Sequence, residues 1–457
     1  MQSNLIYNIK DKPPLGKTLV FALQQLLAIM AATIAVPAII GNGMSAAAAL
    51  FGAGAGTLVY LLFTKFKSPV FLGSSFAFLG SMGAAFAGAA TVELGYLGLV
   101  IGAILAGLVY VVIAIVVKRA GTGWINKLMP PQVIGPTVAI IGLSLSGNAV
   151  GDLFKGGVVV DNVSVCNTYV ALVCGLVTLF VVIACSLYGK KMISMIPFII
   201  GILAGYLVAT VFTVIGIATD NVALQVIDFA KFQHIQWYPD FTFIKALGGF
   251  EKLDGAYIGT VAVAYVPVAF VVFAEHIADH KNLSTIIGQD LITEPGLHRT
   301  LLGDGVGSMV GAIFGGCPNT TYGESVGCVA ISKNASVITI VYTAIMAIVI
   351  SFIGPFSTFL ATIPSCVMGG VCIALYGFIA VSGLKMLQQV DLGDNRNLFV
   401  VSVILIAGVG GMQLTFGKVT ITSIACALIL GILANILCHA GDKKAAAESD
   451  TTEGIEE

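Results

Sequence analysis

The chain has 457 residues, 58% of them hydrophobic and 10% charged, against a charged share of about 25% in ordinary soluble domains. That composition excludes a soluble globule. The net charge of -1 gives no basic field for nucleic acid, and like charges accumulate only in the acidic tail from Glu448 to Glu457.

A polar stretch containing Pro13 and Pro14 precedes the first apolar run, and no cleavage-site pattern follows it, so a removable signal peptide is not expected. A hydrocarbon core about 30 Å thick takes roughly 20 apolar residues per helix. Such runs are expected near 15–37, 46–64, 70–90, 95–117, 131–149, 166–188, 192–216, 257–280, 300–316, 318–332, 335–354, 357–382, 397–414 and 418–438. The fold class is therefore an all-α polytopic membrane protein of about fourteen transmembrane segments. An even count puts both termini on one side. Placing them in the cytoplasm leaves only Lys155, Lys231, Lys245, Lys252 and Lys418 outside, so 17 of the 22 basic residues lie inside.

The longest break, 217–256, contains Trp237, Tyr238, Asp240 and Lys245 and reads as an external interfacial loop with a short amphipathic helix. It divides the chain into halves of seven spans. An odd number per half inverts the second half relative to the first, as in inverted-repeat transporters. The third segment of each half supports the pairing. Ser68 to Gly80 reads SPVFLGSSFAFLG, and Gly315 to Gly327 reads GGCPNTTYGESVG. Each has a Pro, small polar residues and an aromatic, which make a poor continuous helix but suit a half-helix meeting another at the midplane. Free N–H groups at such a break can hold a polar solute. A kinked packing segment without a ligand is the alternative.

Glu324 is the only charge between Asp304 and Lys333. Facing lipid it would cost at least about 2.5–3.5 kcal/mol, so it is expected to face the protein interior unless it sits in a solvated loop. Gly323, just before it, allows a ligand close to the backbone. Glu275 follows the apolar run Ala256 to Ala274 and is followed by His276, Asp279 and His280. Glu275 and Asp279 share a helix face one turn apart. Two acids this close resist being ionised together, so one can hold a proton near neutral pH. The alternative is that EHIADHK marks a helix end entering water. His276 and His280 have helical metal-ligand spacing, but the remaining histidines, 234, 298 and 439, form no H-E-x-x-H pattern, and no metal site or cofactor is expected. Asp304, in LLGDGVGS, is either a third member of the polar centre or a structural partner to a nearby amide or hydroxyl. The nine cysteines form no C-x-x-C pair and read as small packing residues.

The segments AEHIADH (274–280), EPGLHRTLLGDG (294–305), FGGCPNTTYGESVG (314–327), FLGSSFAF (71–78), RAGTGWINKLMPP (119–131) and VMGGVCIALYGFIAVSG (367–383) resemble the bacterial uracil permeases of the nucleobase/ascorbate transporter family. The resemblance runs from about residue 12 to residue 440 without large insertions. It implies two intertwined seven-helix repeats, with short strands at the breaks in spans 3 and 10. A cytoplasmic segment (1–14) would precede a core domain (15–130 and 257–354) and a gate domain (131–216 and 355–438). The external loop (217–256) would separate their halves, and a cytoplasmic tail (439–457) would follow. By position it implies substrate carboxylates at Glu275 and Glu324 and backbone contacts at Phe76 and Gly323. Tyr322 and Tyr376 would sit near the base, the latter from the gate side. Two positions depart from the pattern. Asp279 stands where the family's E-H-x-G-H segment ends in histidine, with His280 one residue late, and Gln24-Gln25 replaces a Gln-His pair.

Uracil presents two N–H donors and two carbonyl acceptors on a flat ring, so its site needs carboxylates, backbone donors and an aromatic wall. Glu275 with Glu324, the half-helix ends at Phe76 and Gly323, and the Phe76 and Tyr322 rings meet those needs. The expectation is a proton-coupled nucleobase importer in the bacterial cell membrane, not an enzyme. Glu275, Asp279, Glu324, Asp304 and His280 are the candidate proton carriers. A homodimer is compatible with this reading. The alternatives are a purine (xanthine-type) symporter, sodium coupling, or an anion transporter of the same fold. The last should carry Arg or Lys beside the broken helices, and none lies within 71–80 or 315–327.

Overall fold

The computed structural model describes residues 5–121, 123–124, 129–160, 163–190, 193–233, 235–416 and 419–439. His234, Lys418 and the acidic tail lie outside the described residues.

The first helices are α1 (Leu15–Ile40) and α2 (Ala46–Phe63), then strand β1 (Leu72–Ser74), a single 3₁₀ turn (Phe76–Phe78) and the short α3 (Leu79–Ala87). Next come α4 (Val92–Ala120), α5 (Pro131–Ser144), α6 (Ser146–Asp152), a small hairpin of β2 (Val159–Val160) and β3 (Val163–Ser164), α7 (Thr168–Tyr188) and α8 (Pro197–Ala218). A connection of 3₁₀ turns and the one-turn α9 (Thr242–Ala246) leads to α10 (Gly255–Ile287) and α11 (Leu297–Gly315). Strand β4 (Asn319–Thr321) precedes α12 (Gly323–Ser332), α13 (Val337–Ser351), α14 (Gly354–Thr362) and α15 (Ser365–Leu387). The chain continues through α16 (Asn395–Val409), the hairpin of β5 (Leu414–Phe416) and β6 (Val419–Ile421), and α17 (Ser423–Cys438).

Local chemistry sets these boundaries. Thr91 caps α4 by accepting the Leu94 N–H at 3.2 Å, and Asp254 caps α10 by accepting the Tyr257 N–H at 2.6 Å. Prolines stand in the first turn of α5 and α8, where no N–H is needed. Among the described residues, eight helical segments are long and apolar enough to cross a membrane. Their outer faces are correspondingly apolar, with Phe180, Leu207 and Ile406 left 62%, 64% and 75% exposed for lipid.

Three details depart from the sequence expectations. Helix α10 runs on to Ile287, past the expected end at 280, because no helix breaker arrives until Gly288 takes the left-handed cap. The EHIADH segment is thus helix interior, not a helix end. The run expected as one span over 357–382 is two helices, since Pro364 cannot continue α14, and α13 meets α14 at an 84° bend. The connection over 217–256 carries mostly 3₁₀ turns, with α9 too short for an amphipathic face. Both interrupted segments, in contrast, fold as a short strand leading into a short helix.

Where α2 and α11 cross, glycines let the backbones touch. A Cβ on Gly52 would lie 2.5 Å from the Gly311 carbonyl oxygen, and one on Gly56 would lie 2.6 Å from that of Gly307. Into this seam fits the Asn319 side chain, whose Nδ2 donates to the Gly52 carbonyl at 3.0 Å. Thr57 accepts the Leu72 N–H at 2.9 Å and so holds β1 to the same helix.

Candidate substrate site

Strands β1 and β4 run antiparallel, pairing Leu72 with Thr321, Gly73 with Thr320 and Ser74 with Asn319. Only three residues long, they share backbone bonds with each other, and Thr57 takes the Leu72 N–H, which is how non-helical chain survives at membrane depth. The Tyr322 hydroxyl donates to the Ser74 carbonyl at 2.6 Å, fastening the two breaks together. Ser325 does the same from the first turn of α12. Its hydroxyl accepts the Phe71 N–H at 3.1 Å and lies 2.6 Å from Gln25 Nε2 of α1.

This arrangement directs the free N-terminal end of α12 at the front of α10. There Glu275, Asp279, Gly323 and Glu324 line a cavity of about 410 Å³. Ala28, Gly327 and Cys328 complete the wall on the side of α1 and α12, and Val138, Phe198, Phe378, Ile379, Ser382 and Met386 face it from α5, α8 and α15. Asp279 is oriented by the Thr321 hydroxyl, which donates to its Oδ2 at 2.8 Å. Three carboxylates and a helix N-terminus beside an apolar wall suit a flat solute whose N–H groups need acceptors and whose carbonyls need donors. Among the described residues no cluster of three or more His, Cys, Asp and Glu is arranged to hold a metal ion.

The structure thus brings Glu275, Asp279, Gly323 and Glu324 together. Phe76, Tyr322 and Tyr376 are buried and do not line the cavity. The Phe76 ring meets Tyr376 edge to face, with centroids 5.6 Å apart. Tyr322 lies across Gly73, its hydroxyl already engaged, and acts here as a clamp between the strands. Asp304 and His280 lie behind α10: Asp304 Oδ2 is 2.7 Å from His276 Nδ1, and His280 Nε2 is 2.8 Å from the Tyr60 hydroxyl. Thr321, Ser325 and Asn319 were not singled out by the sequence reading, because Ser, Thr and Asn in a broken helix carry no pattern that separates a ligand contact from a backbone partner.

A second cavity of about 590 Å³ lies at the opposite end of α1 and α15, lined by Ile34, Pro37, Asp152, Lys231, Asp240 and Met368 among others. It includes no residue of α10 or α12. Although larger, it holds two acids, each paired with a lysine (Asp152 with Lys155 and Asp240 with Lys245), and not the three carboxylates of the first.

Long apolar helices, two half-helices joined by a short strand pair, and an acidic cavity between two helix groups define a multi-pass membrane transporter. A family model described as "Permease family" matches residues 16–417, and the chain belongs to that permease family. It is 40% identical over 437 residues to the uracil permease of Bacillus caldolyticus, covering 94% of each chain. Identity to the uracil permease of Bacillus subtilis (strain 168) is 38%, covering 97% of each. For the uracil permease of Escherichia coli (strain K12) it is 33%, covering 93% of this chain and 92% of the relative. Among solved structures, the transmembrane domain of the cyanobacterial bicarbonate transporter BicA superposes with a TM-score of 0.61 at 15% identity, covering 95% of this chain and all of that one. The inward-facing murine Solute Carrier 26 family member A9, an anion transporter, gives 0.63 at 14% identity, covering 95% of this chain and 69% of that one. At such identities these two share the fold alone.

Proposed function

We propose that this chain is a secondary active transporter that imports uracil by proton symport across the bacterial cell membrane. The observation that carries the reading is the convergence of Glu275, Asp279 and Glu324 with the N-terminus of α12 on one cavity. The uracil permeases, at 33–40% identity over nearly the full chain, give the substrate class. Glu275 and Glu324 accept the two N–H groups of the base, and the backbone at Gly323 donates to a carbonyl. The neutral base binds when one of the carboxylates holds a proton, and base and proton leave together when the site opens inward.

The proposed topology has fourteen spans in two inverted repeats of seven, with both termini in the cytoplasm. The core comprises 15–130 and 257–354, the gate 131–216 and 355–438, and the external loop 217–256. Support comes from the antiparallel pairing of β1 with β4, each leading into a short helix at the third position of its half. In the conformation described, the carboxylate cavity reaches Ser186, Ile331 and Met386, near the helix ends that this topology places inside. Phe76 packs against Tyr376, which lies on α15 between Met368 of the larger cavity and Phe378 of the carboxylate cavity. Two copies pairing through gate helices is the oligomer we propose.

The test is uptake of labelled uracil into proteoliposomes under an imposed pH gradient or sodium gradient, each alone. Accumulation driven by the pH gradient is expected, and Glu324→Gln should reduce it to background. Uptake driven only by sodium sinks the proton mechanism, and undiminished binding by Glu324→Gln sinks the site. A purine symporter is the second reading, favoured by the cavity's size and by the acid at 279, and labelled xanthine in the same vesicles decides it.

A further inference from the structure

The rear face of α10 carries a second polar centre that the transport scheme above does not use. His276 and His280, one turn apart, are both fully buried and stack with ring centroids 4.0 Å apart. Each is held by a different neighbouring element. His276 Nδ1 is 2.7 Å from Asp304 Oδ2, and its Nε2 is 3.0 Å from the Thr300 hydroxyl, both on α11. His280 Nδ1 donates to the His276 carbonyl at 2.8 Å, and its Nε2 is 2.8 Å from the Tyr60 hydroxyl of α2, itself 2.7 Å from Ser68 Oγ.

These bonds can be laid out so that the first pair is neutral. With the Thr300 hydroxyl donating to the Leu297 carbonyl at 3.0 Å, it accepts on the side of His276. His276 Nε2 therefore carries hydrogen. A single further proton lies between Nδ1 and Asp304 Oδ2, and whichever atom holds it, the pair is net neutral. That is a stable way to keep a histidine and a carboxylate in a membrane interior, since breaking it from either side leaves a charge or an unpaired polar atom buried. Around the pair stand Tyr110 of α4, 6.3 Å ring to ring from His276, together with Tyr60 and His280. No Lys or Arg takes part in any of these bonds.

We infer that His276 and His280 are positioning residues, which fix the rotation and height of α10 so that Glu275 and Asp279 meet Gly323 and Glu324 across the cavity. Glu275 precedes His276 directly, and Asp279 precedes His280 directly. At about 100° per residue, fastening two histidines on the rear leaves the two acids no freedom to turn. Asp304 then serves as an anchor and is not the proton that travels with the substrate. This rests on the carboxylate cavity being the substrate site, so the test has one arm that needs no substrate.

The first arm measures uracil binding to the purified protein. His276→Ala orphans Asp304 and should weaken binding about tenfold or more. His276→Asn places an amide donor where Nδ1 stood and should stay within about threefold. Tyr60→Phe, which deletes one oxygen, should weaken binding without loss of folded protein, and it carries the test if His276→Ala fails to fold. The pH of half-maximal binding should not move in any variant. The second arm places Ala278→Cys, at a position of α10 that lines the carboxylate cavity, in a background lacking the native cysteines and follows its reaction with a water-soluble maleimide, expecting a rate change of several-fold in His276→Ala and Tyr60→Phe. Wild-type binding and labelling rates in both variants overturn the inference, as does a shifted pH midpoint, which makes the pair the proton carrier. If the wild type binds no base while the labelling rates do change, the substrate reading fails and the positioning role stands.

Discussion

Gly73→Ala tests the strand crossing most directly. A Cβ on Gly73 would overlap Cε2 and Cζ of the Tyr322 ring and lie 2.9 Å from its Cδ2. The ring cannot swing aside cheaply, because Tyr322 is 4% exposed and its hydroxyl donates to the Ser74 carbonyl at 2.6 Å. Forcing an extra carbon into a filled core costs about 1–3 kcal/mol, and displacing the ring forfeits a buried hydrogen bond worth a similar amount, so the sum is about 2–6 kcal/mol. The measurement is the thermal midpoint in detergent, alongside uracil binding at a temperature where the variant is folded. Both should fall, since Gly323 and Glu324 follow Tyr322 directly. Tyr322→Leu removes the ring, so the double variant should be more stable than the two single losses predict, by about 1 kcal/mol or more. A Gly73→Ala protein within about 0.5 kcal/mol of wild type, or strict additivity in the double variant, would refute the clamp.

Two further perturbations probe the periphery. The segment before α1 lies along the end of α12: the Ile6 N–H donates to the Lys333 carbonyl at 2.8 Å, and the Ala335 and Val337 N–H groups donate to the Tyr7 and Ile9 carbonyls at 2.9 and 3.1 Å. Deleting residues 1–11 should lower the thermal midpoint, at about 0.5–1.5 kcal/mol per lost bond, and weaken uracil binding by freeing α12. Unchanged binding would show the strap to be decorative. Lys67 lies 2.6 Å from Glu294 in the connection after α10 and holds that carboxyl below its ordinary value by hydrogen bond and charge. A depressed carboxyl contributes stability above its unfolded value of about 4.3 and loses it as pH falls further. The midpoint difference between wild type and Lys67→Met should therefore be present at pH 7 and vanish toward pH 3. A difference that persists in acid would mean Lys67 acts by packing.

Much of the architecture was legible because a membrane imposes a simple rule on sequence. Run length and the positions of Gly and Pro located α1, α2, α4, α7 and α8 within a few residues, and the paired breaks stood out because their prolines and polar residues contradict their apolar surroundings. Pro364 was lost within the longer apolar run expected over 357–382, since hydropathy averages over a bend. Glu324 was readable from isolation alone. Glu275 was ambiguous between helix end and helix interior until its neighbours were seen to be enclosed by α2 and α11. The division of EHIADH into a front of acids and a rear of histidines was implicit in the helical period, but which face looked at the cavity depended on partners in α2 and α11 far along the chain. The aromatic roles were least legible. Phe76, Tyr322 and Tyr376 all promise ring surface, and only packing distinguishes a wall from a latch or a clamp.

The β1–β4 pair has a consequence for how this transporter can change. Residues 72–76 and 319–324 lie far apart in sequence yet form one structural unit, because the two strands hydrogen-bond to each other. A substitution that retunes one break alters the shape presented to the other. Shifts in substrate preference are therefore expected to arise as matched pairs of changes across the crossing, and transplanting one segment from a relative without its counterpart should yield a protein that inserts normally but recognises nothing.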